Sequence, residues 1–141
     1  MNEARGCPPE TCRPRTIRGM PANATQPRLE AAFVTRQLDE LRSKGVVRLD
    51  DDETAALAGA LDSIEADSVE LFGSRTDPAG RGGDIDVLIL CRGAALNTAR
   101  RIAVRFFDRC EEKIDVVVLD PSRLTAVQQV FLDSLRRVRV A

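Results

Sequence analysis

Histidine, tyrosine and tryptophan are all absent from this 141-residue chain, and each absence excludes a class of function. Without histidine the chain cannot build a Ser-His-Asp or Cys-His catalytic set, a histidine-ligated zinc site or an imidazole general base. Acid and base chemistry therefore falls to carboxylates, lysine or cysteine. Five phenylalanines supply all the aromatic surface, so stacking platforms for single-stranded nucleic acid are scarce.

The charge balance also narrows the choice of partner. Charged residues make up 30% of the chain, yet the formal net charge is only -1, so bulk charge predicts no affinity for nucleic acid or membranes. Lysine is scarce, because all but two of the 21 basic residues are arginines. No apolar run approaches the roughly 20 residues of a membrane span, and direct nucleic-acid binding is not expected.

Four cysteines are present, at positions 7, 12, 91 and 110. No apolar stretch near the N-terminus resembles the core of a signal peptide, which predicts a reducing, cytoplasmic location. Cys7 and Cys12 alone lack the four ligands of a structural zinc site, so their role stays open. Cys91 and Cys110 are expected to be small core residues.

The chain divides into a tail and one domain. Residues 1–26 hold four prolines and four arginines with little periodicity, which predicts a disordered tail. Met20 lies inside this tail and is an alternative start of translation. Residues 27–141 are predicted to form one domain, whose core spans about residues 50–140 and is preceded by an additional helix at 27–45.

Apolar periodicity predicts that helix between Pro27 and Lys44, with the proline in its first turn and Gly45 at its end. Its stripe is Leu29, Phe33, Leu38 and Leu41, which pack either on their own domain or on a partner protein. A second helix is expected to start at a capping box formed by Asp50 and Glu53.

Three strands are predicted at 68–72, 84–91 and 113–119, with a helix at 96–110 between the last two. Asp120 and Pro121 are expected to begin a final helix, followed by an edge strand at 138–140. The predicted fold class is α+β, with a small mixed sheet in αβαβαβ order flanked by helices.

Acidic side chains interrupt two of these apolar strands. Asp84 and Asp86 are two residues apart, so they point to the same face of a strand. Asp115 is the single acid in the otherwise apolar strand 114–119. Carboxylates crowded together repel unless a cation lies between them, and a hard cation such as Mg²⁺ suits carboxylate and phosphate oxygens. If the two strands are neighbours, three carboxylates form a two-metal site for displacement at phosphorus.

A Gly-Ser pair follows the strand at 68–72. Glycine after a strand lets the backbone approach a ligand closely, and the following N–H groups with the Ser74 hydroxyl can hold phosphate oxygens. A side chain at Gly73 would fill that space. The chain lacks the motifs of a P-loop and of a dinucleotide-binding fold, so this turn is a different phosphate cradle.

Gly73-Ser74, nine intervening residues, Asp84-Ile85-Asp86 and the later Asp115 together resemble the nucleotidyltransferase superfamily that includes DNA polymerase beta. The resemblance is closest to the minimal nucleotidyltransferases, which are often encoded beside a HEPN-domain toxin, and it implies their nucleotidyltransferase fold. The usual arginine-rich stretch before the first aspartate is replaced by Thr-Asp-Pro-Ala-Gly-Arg-Gly-Gly, in which only Arg81 offers a second basic contact.

The resemblance implies a role for each matching residue. Asp84 and Asp86 would bind both Mg²⁺ ions, and Asp115 would complete the site and help to deprotonate the attacking hydroxyl. Gly73, Ser74 and Arg75 would hold the triphosphate of ATP.

Three functions are compatible with this pattern. In the first, the chain is an antitoxin enzyme that transfers AMP from ATP to a hydroxyl of a HEPN toxin, with a tyrosine as the expected acceptor. Alternatively it adenylylates a small molecule such as an aminoglycoside, or it binds a partner without catalysis. Only 22 residues follow Leu119, too few for the extra helical domain of small-molecule members, which favours a protein acceptor.

Overall fold

The computed structural model describes residues 26–141, so the predicted tail with Cys7, Cys12 and Met20 lies outside the described residues. The described residues form four helices, α1 (Ala31–Ser43), α2 (Asp51–Leu61), α3 (Ala95–Phe107) and α4 (Ala126–Ser134). The same part of the chain forms four strands, β1 (Ser68–Phe72), β2 (Ile85–Leu90), β3 (Ile114–Leu119) and β4 (Arg137–Arg139). Within this part of the chain no helix is long and apolar enough to cross a membrane.

The strands form one mixed sheet in the order β3-β2-β1-β4. β1 runs antiparallel to both β2 and β4, whereas β2 and β3 are parallel. This arrangement confirms the α+β class and the mixed sheet. The expected αβαβαβ order describes the run from α2 to β3 if the single 3₁₀ turn at Gly73–Thr76 is counted as a helix; α4 and β4 then follow.

The sheet separates two apolar clusters of different size. Its alternating residues Val69, Leu71, Ile85, Val87 and Ile89 are fully buried in the larger cluster, against α1, α2 and α3. The other face carries a smaller cluster of Phe72, Leu88 and Leu119 beneath Leu132 of α4. The smaller cluster therefore lies between the sheet and one short helix of nine residues.

Two predicted helix starts are wrong. α1 begins four residues after Pro27, because the chain there is extended and hydrogen-bonds to the segment before β1: Leu29 N–H donates to Ile64 O at 2.8 Å. α4 begins at Ala126 with a capping box between Thr125 and Gln128.

Asp120 does not cap α4. Its carboxylate instead accepts hydrogen bonds from the N–H and hydroxyl of Ser122, at 2.9 and 2.6 Å, so it closes a local turn. By contrast, the capping box of Asp50 and Glu53 is present at the start of α2, as predicted.

Candidate active site

Asp86 and Asp115 are register partners in the parallel pair of β2 and β3. Asp86 is two residues from Leu88, and Asp115 is four residues from Leu119; both leucines belong to the smaller cluster under α4. Since side chains alternate along a strand, both acids lie on that same face of the sheet. The structure thus brings together these two of the three predicted acids.

The electrostatics of Asp86 reflect this neighbourhood. Burial raises the pKa of Asp86 above its usual value, and the charges of Asp115 and Asp84, with a hydrogen bond shared with Asp115, raise it further. Like charges at directly paired positions destabilise a sheet, so the pairing of Asp86 with Asp115 lowers the stability of the fold.

Asp84 lies immediately before β2, and its carboxylate forms an ion pair with Lys113. Its Oδ2 is 3.6 Å from Nζ of Lys113, and both side chains are substantially exposed. Among residues 26–141 no three acidic or cysteine side chains form a ready-made metal-binding group.

Gly73 lies directly beside Asp86, because Phe72, the residue before it, is the register partner of Asp86. Its φ is +77°, a left-handed conformation that glycine adopts without strain. A Cβ at this position would meet the carboxylate of Asp86. Any side chain at position 73 would therefore displace the carboxylate of Asp86 before it reached a bound phosphate.

Ser74 links the turn to the start of β2. Its hydroxyl is 3.5 Å from the carbonyl oxygen of Asp84, and a Cβ at Gly83 would meet the same hydroxyl. The Gly-Ser turn and the Asp-x-Asp segment are therefore adjacent in space, as the motif predicts. Arg81 lies exposed in the loop between them.

Arg75 is placed differently from the expectation that it holds a phosphate. Its side chain is buried, and its guanidinium forms two hydrogen bonds of 2.8 Å with the carboxylate of Glu53. It also donates to the carbonyl oxygens of Arg48 at 2.9 Å and Gly83 at 3.0 Å. Four of its five N–H groups are thus used within the chain, and a direct phosphate contact would require this ion pair to open.

Sequence reasoning missed two residues of this arrangement. Glu53 was recognised only as a helix cap, and Arg48 belongs to no motif. Arg48 lies in the connection between α1 and α2 and donates three hydrogen bonds to backbone carbonyls of the loop after Gly73. No periodicity or spacing signals such contacts, because they join segments about 26 to 34 residues apart.

Comparison of the chain with family models, curated proteins and solved structures gives no match. The resemblance to nucleotidyltransferases therefore rests on the motif residues. The structure adds their geometry: a glycine turn in contact with Asp86, which is paired with Asp115 on one face of a mixed sheet.

Proposed function

We propose that this chain is a Mg²⁺-dependent nucleotidyltransferase that transfers AMP from ATP to a hydroxyl of a partner protein. The observation that carries the proposal is the pairing of Asp86 with Asp115 beside the Gly73 turn. An acid such as Asp86, whose pKa is raised by burial and by a neighbouring acid, is typical of a site that binds cations or moves protons.

The donor set fits Mg²⁺. Carboxylate oxygens are the ligands that Mg²⁺ takes from proteins, usually one or two together with phosphate oxygens and water. Asp86 and Asp115 are register partners, and Asp84 forms an exposed ion pair with Lys113 of the kind worth about 1 kcal/mol or less. When bound, the metal would neutralise phosphate charge and polarise the α-phosphate.

The chain's own residues supply the remaining functions. Backbone N–H groups of the Gly73–Thr76 turn and the Ser74 hydroxyl would bind phosphate oxygens. Asp115 is exposed on the edge strand β3. It would accept the proton of the acceptor hydroxyl while the hydroxyl oxygen bonds to the α-phosphorus. The bond from that phosphorus to the bridging oxygen then breaks, and pyrophosphate leaves.

A protein acceptor is supported by the openness of the acidic face. Asp115 is exposed on this face, and among residues 26–141 the nine-residue helix α4 is the helix that packs on its apolar cluster. The family resemblance points to a HEPN-type toxin as the acceptor, which would make this chain the antitoxin. The chain has no tyrosine, so an acceptor tyrosine must belong to another protein.

The test is transfer of label from ATP. The purified chain is incubated with Mg²⁺ and a HEPN-domain protein, using ATP labelled at the α- or the γ-phosphate. We expect the acceptor to carry label only from α-labelled ATP, and Asp86→Asn to lower this transfer by two orders of magnitude or more. Asp133→Asn, at an exposed aspartate of α4, is the matched control.

Other outcomes would identify the alternatives. Label on an added aminoglycoside, with none on the protein, would indicate a small-molecule enzyme. If the chain neutralises the toxin equally well with Asp86→Asn, it is a binding module, and the proposed activity is rejected.

A further inference from the structure

The loop that follows Gly73 is held by the side chain of Arg48. The guanidinium donates to the carbonyl oxygens of Ser74 at 2.7 Å, Asp77 at 2.8 Å and Gly82 at 3.1 Å. The backbone N–H of Arg48 also donates to Arg75 O at 2.8 Å. One side chain therefore ties together both ends of the loop.

Arg75 forms a hydrogen bond to the C-terminal end of the same loop, at Gly83. Its Nε donates to Gly83 O at 3.0 Å, while its other nitrogens bond to Glu53 and to the backbone oxygen of Arg48. The Glu53–Arg75 ion pair is almost fully buried, with 7% and 5% of the side chains exposed. Arg48 thus contacts the buried Glu53–Arg75 ion pair, through its own backbone oxygen, as well as the loop.

These hydrogen bonds orient the peptide groups of the loop. In a planar trans peptide the C=O of one residue and the N–H of the next point in opposite directions. Carbonyls directed at Arg48 or Arg75 therefore turn the N–H groups of Arg75, Gly83 and Asp84 away from the two arginines. A phosphate is attracted by N–H groups and repelled by carbonyl oxygens, so this orientation favours an anion on the far side of the loop.

We propose that Arg48 is a positioning residue for the phosphate-binding turn. It turns the carbonyl oxygens of the loop away from the nucleotide and so presents the N–H groups of the turn, without contacting the nucleotide itself. This inference rests on the proposed function, since it assigns Arg48 a role in ATP binding by the same site.

The experiment compares Arg48→Ala and Arg48→Lys with the wild type and with the control Arg42→Ala. Arg42 is a suitable control because it is an arginine of α1 whose partners are the carboxylates of Asp39 and Asp51 and not the loop. Backbone hydrogen exchange over residues 74–84 is measured without nucleotide. The affinity for a fluorescent ATP analogue is measured in Mg²⁺, well below the melting temperature.

We expect Arg48→Ala to speed exchange over residues 74–84 and to weaken ATP binding about tenfold, with helices α1 to α3 protected as in the wild type. Arg48→Lys should fall between the two, because one ammonium cannot span three carbonyls as a guanidinium does. Arg42→Ala should match the wild type in both measurements.

Each outcome separates this inference from the proposed function. If the wild type binds ATP and Arg48→Ala binds it equally well, Arg48 is merely structural and the inference is overturned. Wild-type loop exchange in Arg48→Ala would overturn it too. If the wild type itself binds no ATP, the proposed function fails and takes the inference with it. Should Arg48→Ala not fold, Arg48→Lys is judged by the same criteria.

Discussion

Gly73 shows how a single residue links the backbone to the acidic pair. Its φ of +77° penalises any side chain, and a Cβ would in addition meet the carboxylate of Asp86. Gly45 provides a comparison, because its φ is +72° but no atom lies within 4 Å of its would-be Cβ. The two glycines therefore have similar positive φ angles, but only Gly73 has another side chain within reach of an added Cβ.

We expect Gly73→Ala to lower nucleotide transfer at least tenfold, while Gly45→Ala leaves it unchanged. Both substitutions should cost about 1–2 kcal/mol of stability from left-handed strain. Only the first displaces Asp86. Activity assays and thermal unfolding of the two variants check this, and equal activity in both would contradict the contact between Gly73 and Asp86.

Glu53 adds a titratable element to the same region. Burial alone would raise the pKa of Glu53, but hydrogen bonds from Arg75 and from the N–H of Asp50, together with the charge of Arg75, lower it below the usual value. A lowered pKa contributes stability that is fully present above the unfolded-state pKa of about 4.3 and is lost as the pH falls through the folded-state value.

We expect Glu53→Gln to lower the free energy of unfolding at pH 7 by about 3 kcal/mol, because it leaves Arg75 buried without a counter-charge. The variant should also lose less stability than the wild type between about pH 5 and pH 3. Denaturant unfolding across this range measures both effects. Glu40→Gln, which removes an exposed pair with Lys44, should follow the wild-type curve.

Helix α1 illustrates the element scale, because its apolar stripe had two possible uses. Val34 and Leu38 are fully buried in the main core, whereas Phe33 is 39% exposed and lies under the guanidinium of Arg36. The helix packs against α2 in its own domain, where Leu38 and the partly buried Leu41 of the predicted stripe join the core. Leu29 of that stripe is also buried but lies before the helix.

We expect Leu38→Ala to destabilise the chain by about 2–5 kcal/mol through the lost burial and the cavity left behind. Phe33→Ala on the same helix should cost about 1 kcal/mol or less, because its side chain is already partly in water. Equilibrium unfolding compares them. Equal losses would mean that the buried face of α1 has been misassigned.

At the scale of the whole molecule, the two faces of the sheet differ in how much they are covered. Three helices pack on one face, and Asp86 and Asp115 lie on the other, where α4 packs on the smaller apolar cluster. Paired carboxylates on that face reduce stability until a cation reduces their repulsion. Binding to the native state alone should therefore appear as a rise in stability.

We expect Mg²⁺ to raise the melting temperature of the wild type in a concentration-dependent way, and EDTA to reverse the rise. Asp115→Asn should be at least as stable as the wild type in EDTA, and Mg²⁺ should stabilise it less. Asp108→Asn, at an exposed position after α3, serves as the control. An identical response of all three proteins to Mg²⁺ would argue against the acidic pair as the binding site.

Local patterns in the sequence were enough to predict the elements whose causes are local. The capping box of Asp50 and Glu53 and the strand Ser68–Phe72 follow from spacing alone, because each depends on residues a few positions apart. The α+β class followed from the same patterns. The enzymatic function stays a prediction from the motif.

Only the tertiary structure decided the features that join distant segments. Pro27 does not start α1 because Leu29 pairs with Ile64, and Arg75 is turned inward because Glu53 of another helix reaches it. The pairing of Asp86 with Asp115 likewise required β2 and β3 to be neighbours in register. Such contacts depend on which surfaces the folded chain brings together, and a guanidinium can bond to any carbonyl within reach, so no local pattern of residue types specifies them.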